Sequence, residues 1–338
     1  MRGDLRADHR EFGQVVRTAL DTHAGPGAVR RVWSDTVERD RMWALLAELG
    51  VLAIAVPEPH GGVGGEPIDL ALSLEEVGRH ALPLPVVETV TATMALRMSR
   101  DDVAAAWLPS VADGRSRFSV VGDSGLAPHG ASTQATLRLA PDGVDLFTAG
   151  DVEWSPVAST DPGLDLARWI GATVDGLALG VPAEQVRTTA AWTSALVLVG
   201  LAHRMVEMAR DHALAREQFG RPIAEFQALK HRLADAIVAV EAARGLAWFA
   251  AYAAGRRPDE LAQAARLAKG SASEAARVAG AAALQLHGGI GFTWEHDLHL
   301  FLHRARSLET WFGSAGAHRV AAGRALLDSL SEEMPHGR

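Results

Sequence analysis

Residues 215–227 read AREQFGRPIAEFQ, and what flanks them decides the fold. Upstream, Leu198, Leu201, Met205 and Met208 recur at the spacing of one helical face, and downstream Leu229, Leu233, Ala236, Val240 and Ala243 do the same. Between them Gly220 and Pro222 must end the first helix, because glycine accepts the left-handed turn that closes a helix and proline has no amide hydrogen to continue one. Glu225-Phe226-Gln227 then opens the second, so the stretch is a helix-loop-helix corner. Two readings fit its side chains. One is a capped turn with surface arginines; the other is an anion site, since a guanidinium beside a ring at a rigid corner suits a nucleotide pyrophosphate and its adenosine.

The same periodicity predicts a third long helix from Asp259 to His287 and a fourth from Ser314 to about Leu330. Small residues on their apolar stripes imply a close-packed four-helix bundle. Before the bundle, residues 118–189 change character: Ala135 to Ala140 and Val144 to Ala149 are short strand-like runs flanking the turn Pro141-Asp142-Gly143. Before that, from Asp4 to about Ser116, the pattern is helical, with Met42, Leu45, Leu46 and Leu49 preceding a break at Val56-Pro57-Glu58-Pro59-His60-Gly61-Gly62. The expected fold is mainly α with a small β domain: a helical N-terminal lobe over 1–117, an abbreviated β domain over 118–189 and the bundle over 190–338.

Bulk properties narrow the function. A chain of 338 residues, 48% hydrophobic, buries a sizeable core. The net charge of −8 and scattered arginines argue against nucleic acid, which needs clustered cations. Having no cysteine, the chain has no disulfide, thiolate nucleophile or cysteine-based metal site. The charged N-terminus lacks the apolar core of a secretory signal, which suggests the cytosol. The longest nearly apolar stretch, Ala195 to Ala202, is far below the ~20 residues that span a bilayer, so no membrane span is expected.

Two further stretches carry chemistry. In Gln285-Leu286-His287-Gly288-Gly289-Ile290-Gly291-Phe292 three glycines follow a long helix. They read either as a helix cap or as backbone bared for close approach to a phosphate. In Glu295 to His303, the side chains of Glu295, His299 and His303 would share one helical face, but the usual metal-binding spacing is missing and a solvated or interface face is the preferred reading.

Taken together and in this order, these stretches resemble the acyl-CoA dehydrogenase family over essentially the whole chain. PEPHGG and SLEEVGR look like the family's N-terminal lobe; REQFGRPIAEFQALKHRLAD and QLHGGIGFTWEHDLHLFLHRAR look like its bundle. The resemblance implies FAD held at a subunit interface, with Arg216, Phe219, Gln227, Gln285, Gly288 and Gly289 matching positions that reach the neighbouring subunit's flavin. It further implies an acyl-CoA substrate and an electron-acceptor flavoprotein.

The resemblance fails at the chemistry. Family members remove an α-proton with a carboxylate while the β-hydrogen leaves as hydride to the flavin. The motif carrying that base reads Trp311-Phe312-Gly313-Ser314-Ala315-Gly316 here, and the alternative position on the first bundle helix is Ala190. Glu309, one turn before Phe312, is a possible substitute base whose bland role is an interface charge. The family's ring-lining stretch is also missing, with Gly122-Asp123-Ser124-Gly125 in its place. Keeping the residues for a neighbour's flavin while lacking the base implies no catalytic residue of its own and a second acyl-CoA dehydrogenase-like subunit, as in actinobacterial α2β2 enzymes acting on steroid side-chain thioesters. The rivals are a homo-oligomeric scaffold that binds acyl-CoA or protein without redox chemistry, and an active homomer using Glu309.

Overall fold

The computed structural model describes residues 7–333; Asp4, the expected start of the helical lobe, and the last five residues of the expected bundle lie outside them. The N-terminal lobe comprises α1 (Ala7–His23), α2 (Pro26–Val32), α3 (Thr36–Glu48), α4 (Ala71–Arg79), α5 (Val86–Arg97) and α6 (Asp101–Ala112). Asp35 starts α3 by accepting the Val37 and Glu38 amides, the usual service of an N-cap carboxylate. Nearly every residue of α5 is buried, which is why its sequence shows no amphipathic stripe.

Two small sheets follow. Strands β1 (Phe118–Val121), β2 (Leu126–Ala127), β3 (Ala135–Ala140), β4 (Gly143–Thr148), β5 (Val152–Pro156), β6 (Ala167–Ala172) and β7 (Leu177–Ala178) are arranged in the orders β1-β3-β4-β7 and β2-β6-β5. The hairpin read from Pro141-Asp142-Gly143 is present, pairing Ala140 with Gly143 and Ala135 with Thr148. Phe118, Val120, Leu137 and Leu146 form one core with Leu96 of α5 and Leu108 of α6.

The bundle contains α7 (Ala183–Ala215), a small hairpin of β8 (Glu217–Gln218) and β9 (Arg221–Pro222), α8 (Gln227–Arg256), α9 (Pro258–His287), α10 (Leu298–Thr310) and α11 (Ala315–Glu333). The third and fourth predicted helices are α9 and α11; α10 is a shorter helix between them. The expected boundary at residues 189 and 190 falls inside α7, because Pro182 precedes a helix that runs without a break from Ala183. A buried column of alanines on α9, including Ala264, Ala268, Ala272, Ala275 and Ala279, lets neighbouring helices approach closely.

The N-terminal lobe meets the bundle at a glycine crossing. A Cβ on Gly200 of α7 would lie 1.9 Å from the Glu75 carbonyl oxygen, and one on Gly78 of α4 would lie 2.1 Å from that of Val197. Gly200→Ala should therefore destabilise the protein by about 2 kcal/mol, because backbone must shift on both helices; a thermal midpoint equal to that of the unsubstituted chain would contradict this crossing.

By length and apolar composition alone, α7 and α8 could each cross a membrane, which counting one unbroken apolar run overlooked. In the fold 89% of the apolar window of α7 is buried inside the protein, and 39% of that of α8.

Candidate cofactor-binding corner and the Phe312 site

The corner is tighter than a loop. After α7 ends, the β8–β9 hairpin turns through Phe219 and Gly220, both left-handed at φ 55° and 79°. The pair has the backbone sign of the turn that best matches strand twist. Glycine adopts it freely; phenylalanine does so at a cost of about 1–2 kcal/mol. Phe219 gains little burial in return, being 92% exposed, with its ring edge-on to Phe226 at 6.0 Å. The Arg221 guanidinium lies 4.5 Å from the centre of the other side of that pair, over the Phe226 ring. Arg216 is exposed, and its guanidinium has no side-chain hydrogen bond or ion pair among the described residues.

The end of α9 lies beside this corner. His212, one turn before Arg216, stacks on His287 at 4.4 Å. An open groove of about 490 Å³ sets Ala228 and His231 of α8 against Ala281 and Ala282 of α9, so Gln227 and Gln285, both exposed, stand at the same end. Gly288 has φ 64° and ψ −141°, a conformation open essentially to glycine alone. A Cβ on Gly288 or Gly289 would touch nothing, whereas one on Gly291 would press on His287 at 3.0 Å. The third glycine is thus required by packing; the first two leave bare backbone facing outward. All six predicted residues, Arg216, Phe219, Gln227, Gln285, Gly288 and Gly289, share one end of the bundle. An unpaired guanidinium, an unburied ring and glycine backbone open to close approach suit a phosphate-bearing aromatic ligand.

The predicted row of Glu295, His299 and His303 does not form. Glu295 precedes α10, and no group of three metal-capable side chains occurs among the described residues. The His299 Nδ1–H donates instead to the His296 carbonyl at 2.7 Å.

Phe312, where the resemblance would put the base, is left-handed (φ 59°) and packs between the two apolar cores. His318 Nε2–H donates to its carbonyl at 2.8 Å. Lys269, fully buried, donates to the Leu308 carbonyl and anchors the end of α10 just before Trp311; burial pushes its ammonium down to about 7. Ala190 is fully buried. A cavity of about 210 Å³ beside Phe312 is lined by Glu184, Arg187, Gly313 and His318 among others, and not by Glu309. Glu309 is instead held by Arg306 at 2.6 Å. Glu184, the carboxylate that does line it, is 65% exposed and 3.3 Å from Arg266. Asp123, in the stretch replacing the ring-lining motif, pairs with Arg187 at 2.9 Å and ties the β region to α7.

Sequence reading missed a buried polar junction of the three lobes. Arg304 of α10 donates to Asp161 at 3.1 Å and to the Leu82 carbonyl at 2.7 Å. Glu88 of α5, 4% exposed, lines a small cavity with Arg304 and Trp311, and burial pushes its carboxyl up to about 7 although Arg304 opposes this. The available signal was a lone acid inside an otherwise uncharged run, Val86 to Leu96.

Known proteins resemble the chain over most of its length. Residues 6–115 match the model of the acyl-CoA dehydrogenase N-terminal domain and residues 185–327 that of the C-terminal domain. The chain is 37% identical over 294 residues to the acyl-CoA dehydrogenase IpdE2 of Mycobacterium tuberculosis, covering 86% of this chain and 89% of that protein. Among solved structures, a variant of the Tcur3481–Tcur3483 steroid ACAD aligns with TM-score 0.86 at 26% identity, covering 96% of this chain and 99% of that one. The ChsE4–ChsE5 complex of Mycobacterium tuberculosis shares the fold with TM-score 0.86 at 24% identity, covering 99% of this chain and 100% of that one.

Proposed function

Since the chain belongs to the acyl-CoA dehydrogenase family, we propose that it is the base-lacking subunit of a heteromeric FAD-dependent acyl-CoA dehydrogenase and completes its partner's flavin site. The observation that carries this reading is the contrast between its two ends. Six predicted residues share one end of the bundle, Phe219 among them held left-handed and almost fully exposed, while Phe312 fills the place of the base. When bound, FAD supplies a hydride acceptor for the α,β-desaturation of the thioester. Arg216 would pair with the pyrophosphate, Phe219 would pack on the adenosine, Gln227 and Gln285 would offer amide hydrogen bonds, and Gly288 and Gly289 would leave room for close backbone approach. The name of one similar structure, the Tcur3481–Tcur3483 steroid ACAD, favours a bulky, steroid-type acyl-CoA and a second dehydrogenase-like subunit as partner. A separate flavoprotein takes the electrons, and the assembly works in the cytosol.

The test is flavin titration of the complex copurified with a coexpressed dehydrogenase-like partner. About one FAD per heterodimer is expected, because each interface has one complete ring-binding half. A charge-assisted bond contributes about 1.5–3 kcal/mol, so Arg216→Ala should weaken FAD binding by about 10- to 150-fold. Two FAD per heterodimer, or unchanged affinity in the variant, would show that this subunit is not the cover over its partner's cofactor.

A further inference from the structure

Three imidazoles meet where the ends of α7 and α9 reach the α9–α10 connection, and His299 of α10 joins them through the His296 carbonyl. His212 stacks on His287 with ring centres 4.4 Å apart, and His287 meets His296 at 4.5 Å. Trp294 packs edge-on against His299 at 4.6 Å and stacks on His303 at 5.5 Å, while Trp33, just after α2, abuts both Trp294 and His299. The turn carrying Gly288 and Gly289 is thus joined to the bundle and the N-terminal lobe largely through these rings.

We infer that His212, His287, His296 and His299 form an acid-labile clasp that holds the Gly288–Phe292 turn and releases it when the imidazoles are protonated. One hydrogen bond prescribes a neutral ring. His296 Nδ1 accepts the Leu298 amide at 3.1 Å, so a proton there removes a bond that starts α10. The His299 Nδ1–H is already given to the His296 carbonyl, and its Nε2 is buried without a partner; a proton added there would be a buried, unsatisfied donor. The His287 Nδ1–H is used by the Ala283 carbonyl.

The charges around the rings act in the same sense. Arg216 at the end of α7 faces His212, and Arg30 of α2 faces His296 and His299. His303 of α10 adds to the repulsion at His299. Asp297 is the acid that opposes them, and it is itself paired with Arg30 at 2.7 Å. Burial is the chief cause that holds all four imidazoles below the ordinary histidine range; repulsion adds to it, while Asp297 and the bonds from His287 and His299 to backbone carbonyls oppose it. A histidine depressed in the folded state loses stabilisation as pH falls through its unfolded value, near 6.5, toward the folded one. The released state takes up the protons that the closed clasp refuses.

Release belongs to the full chain alone and is read without flavin or partner, so it stands or falls separately from the cofactor reading. Amide hydrogen exchange of the full chain should show protection across residues 288–299 at pH 7.5 and at least tenfold faster exchange, after correction for intrinsic rates, at pH 5.5. The buried middle of α7, residues 191–202, should stay protected. In His296→Asn, which keeps a hydrogen-bonding side chain without the charge, the pH effect should shrink at least threefold. Unchanged protection of the wild-type turn at pH 5.5, simultaneous loss in α7, or a variant with the wild-type pH response would each overturn the clasp. Should the variant not fold, imidazole NMR titration of the wild-type chain decides: His287 and His296 must titrate below the free histidine value, and ordinary titration overturns the inference.

Discussion

Supplied with FAD and acyl-CoA thioesters, the purified chain should give no measurable ferrocenium-linked turnover. Loss of a general base costs about 10²–10⁴ in rate, and the one carboxylate among the described residues lining the cavity beside Phe312, Glu184, is exposed and faces Arg266. Phe312 is wedged between two apolar cores, Ala190 is sealed in α7, and Glu309 is tied to Arg306 outside the cavity beside Phe312. Glu309→Gln should accordingly leave the zero rate unchanged in the chain and the rate of a reconstituted complex within about twofold. Phe312→Glu should not create an active site either. Its backbone is left-handed, and the neighbouring β-region stretch at Asp123 is committed to an ion pair with Arg187. Robust turnover by the homomer would refute the base-lacking assignment, and its loss in Glu309→Gln would identify the acid responsible.

The stability of the chain should also carry a marked pH signature from Glu88. Its carboxyl rises from an ordinary 4.5 to about 7 in the fold, chiefly through burial. That displacement corresponds to about 3 kcal/mol. Because the folded state binds the extra proton, stability is fully present below about pH 4.5, declines through the interval up to about 7 and is lost above it. Glu88→Gln keeps the shape and removes the titration. Compared by denaturant unfolding, the variant should match the wild type near pH 4.5 and exceed it by up to about 3 kcal/mol at pH 8. A difference that stays constant across that range would mean that Glu88 ionises freely in the folded protein.

Glu88 also marks where sequence reading stops. The corner at residues 215–227 was legible because Gly220 and Pro222 punctuate it and apolar residues recur regularly on both sides, all within a few turns of chain. The turn at Pro141-Asp142-Gly143 and the long helix ending at His287 were legible for the same reason. The start of α7 was not: Ala183 to Thr189 carries mixed polar and apolar residues, and helix there is decided by continuity with the buried segment after it. Glu88 itself reads as one acid in an apolar run. Only the meeting of α5 with Arg304 and Trp311, more than two hundred positions away in sequence, makes it a buried, neutral-leaning carboxyl.

By itself the sequence determined the order of lobes, the long bundle helices, the family resemblance and the absence of a carboxylate at Phe312 and Ala190, because these rest on residue identity and local periodicity. Tertiary structure alone decided that Arg216, Phe219, Gln227, Gln285, Gly288 and Gly289 share one end of the bundle, that Glu309 lies outside the cavity beside Phe312, and that His212, His287 and His296 from three segments come into ring contact. The reason is physical: a helical stripe is written in neighbours three and four residues apart, whereas ring stacking, ion pairing and desolvation depend on which distant segments the packed core brings within a few ångströms.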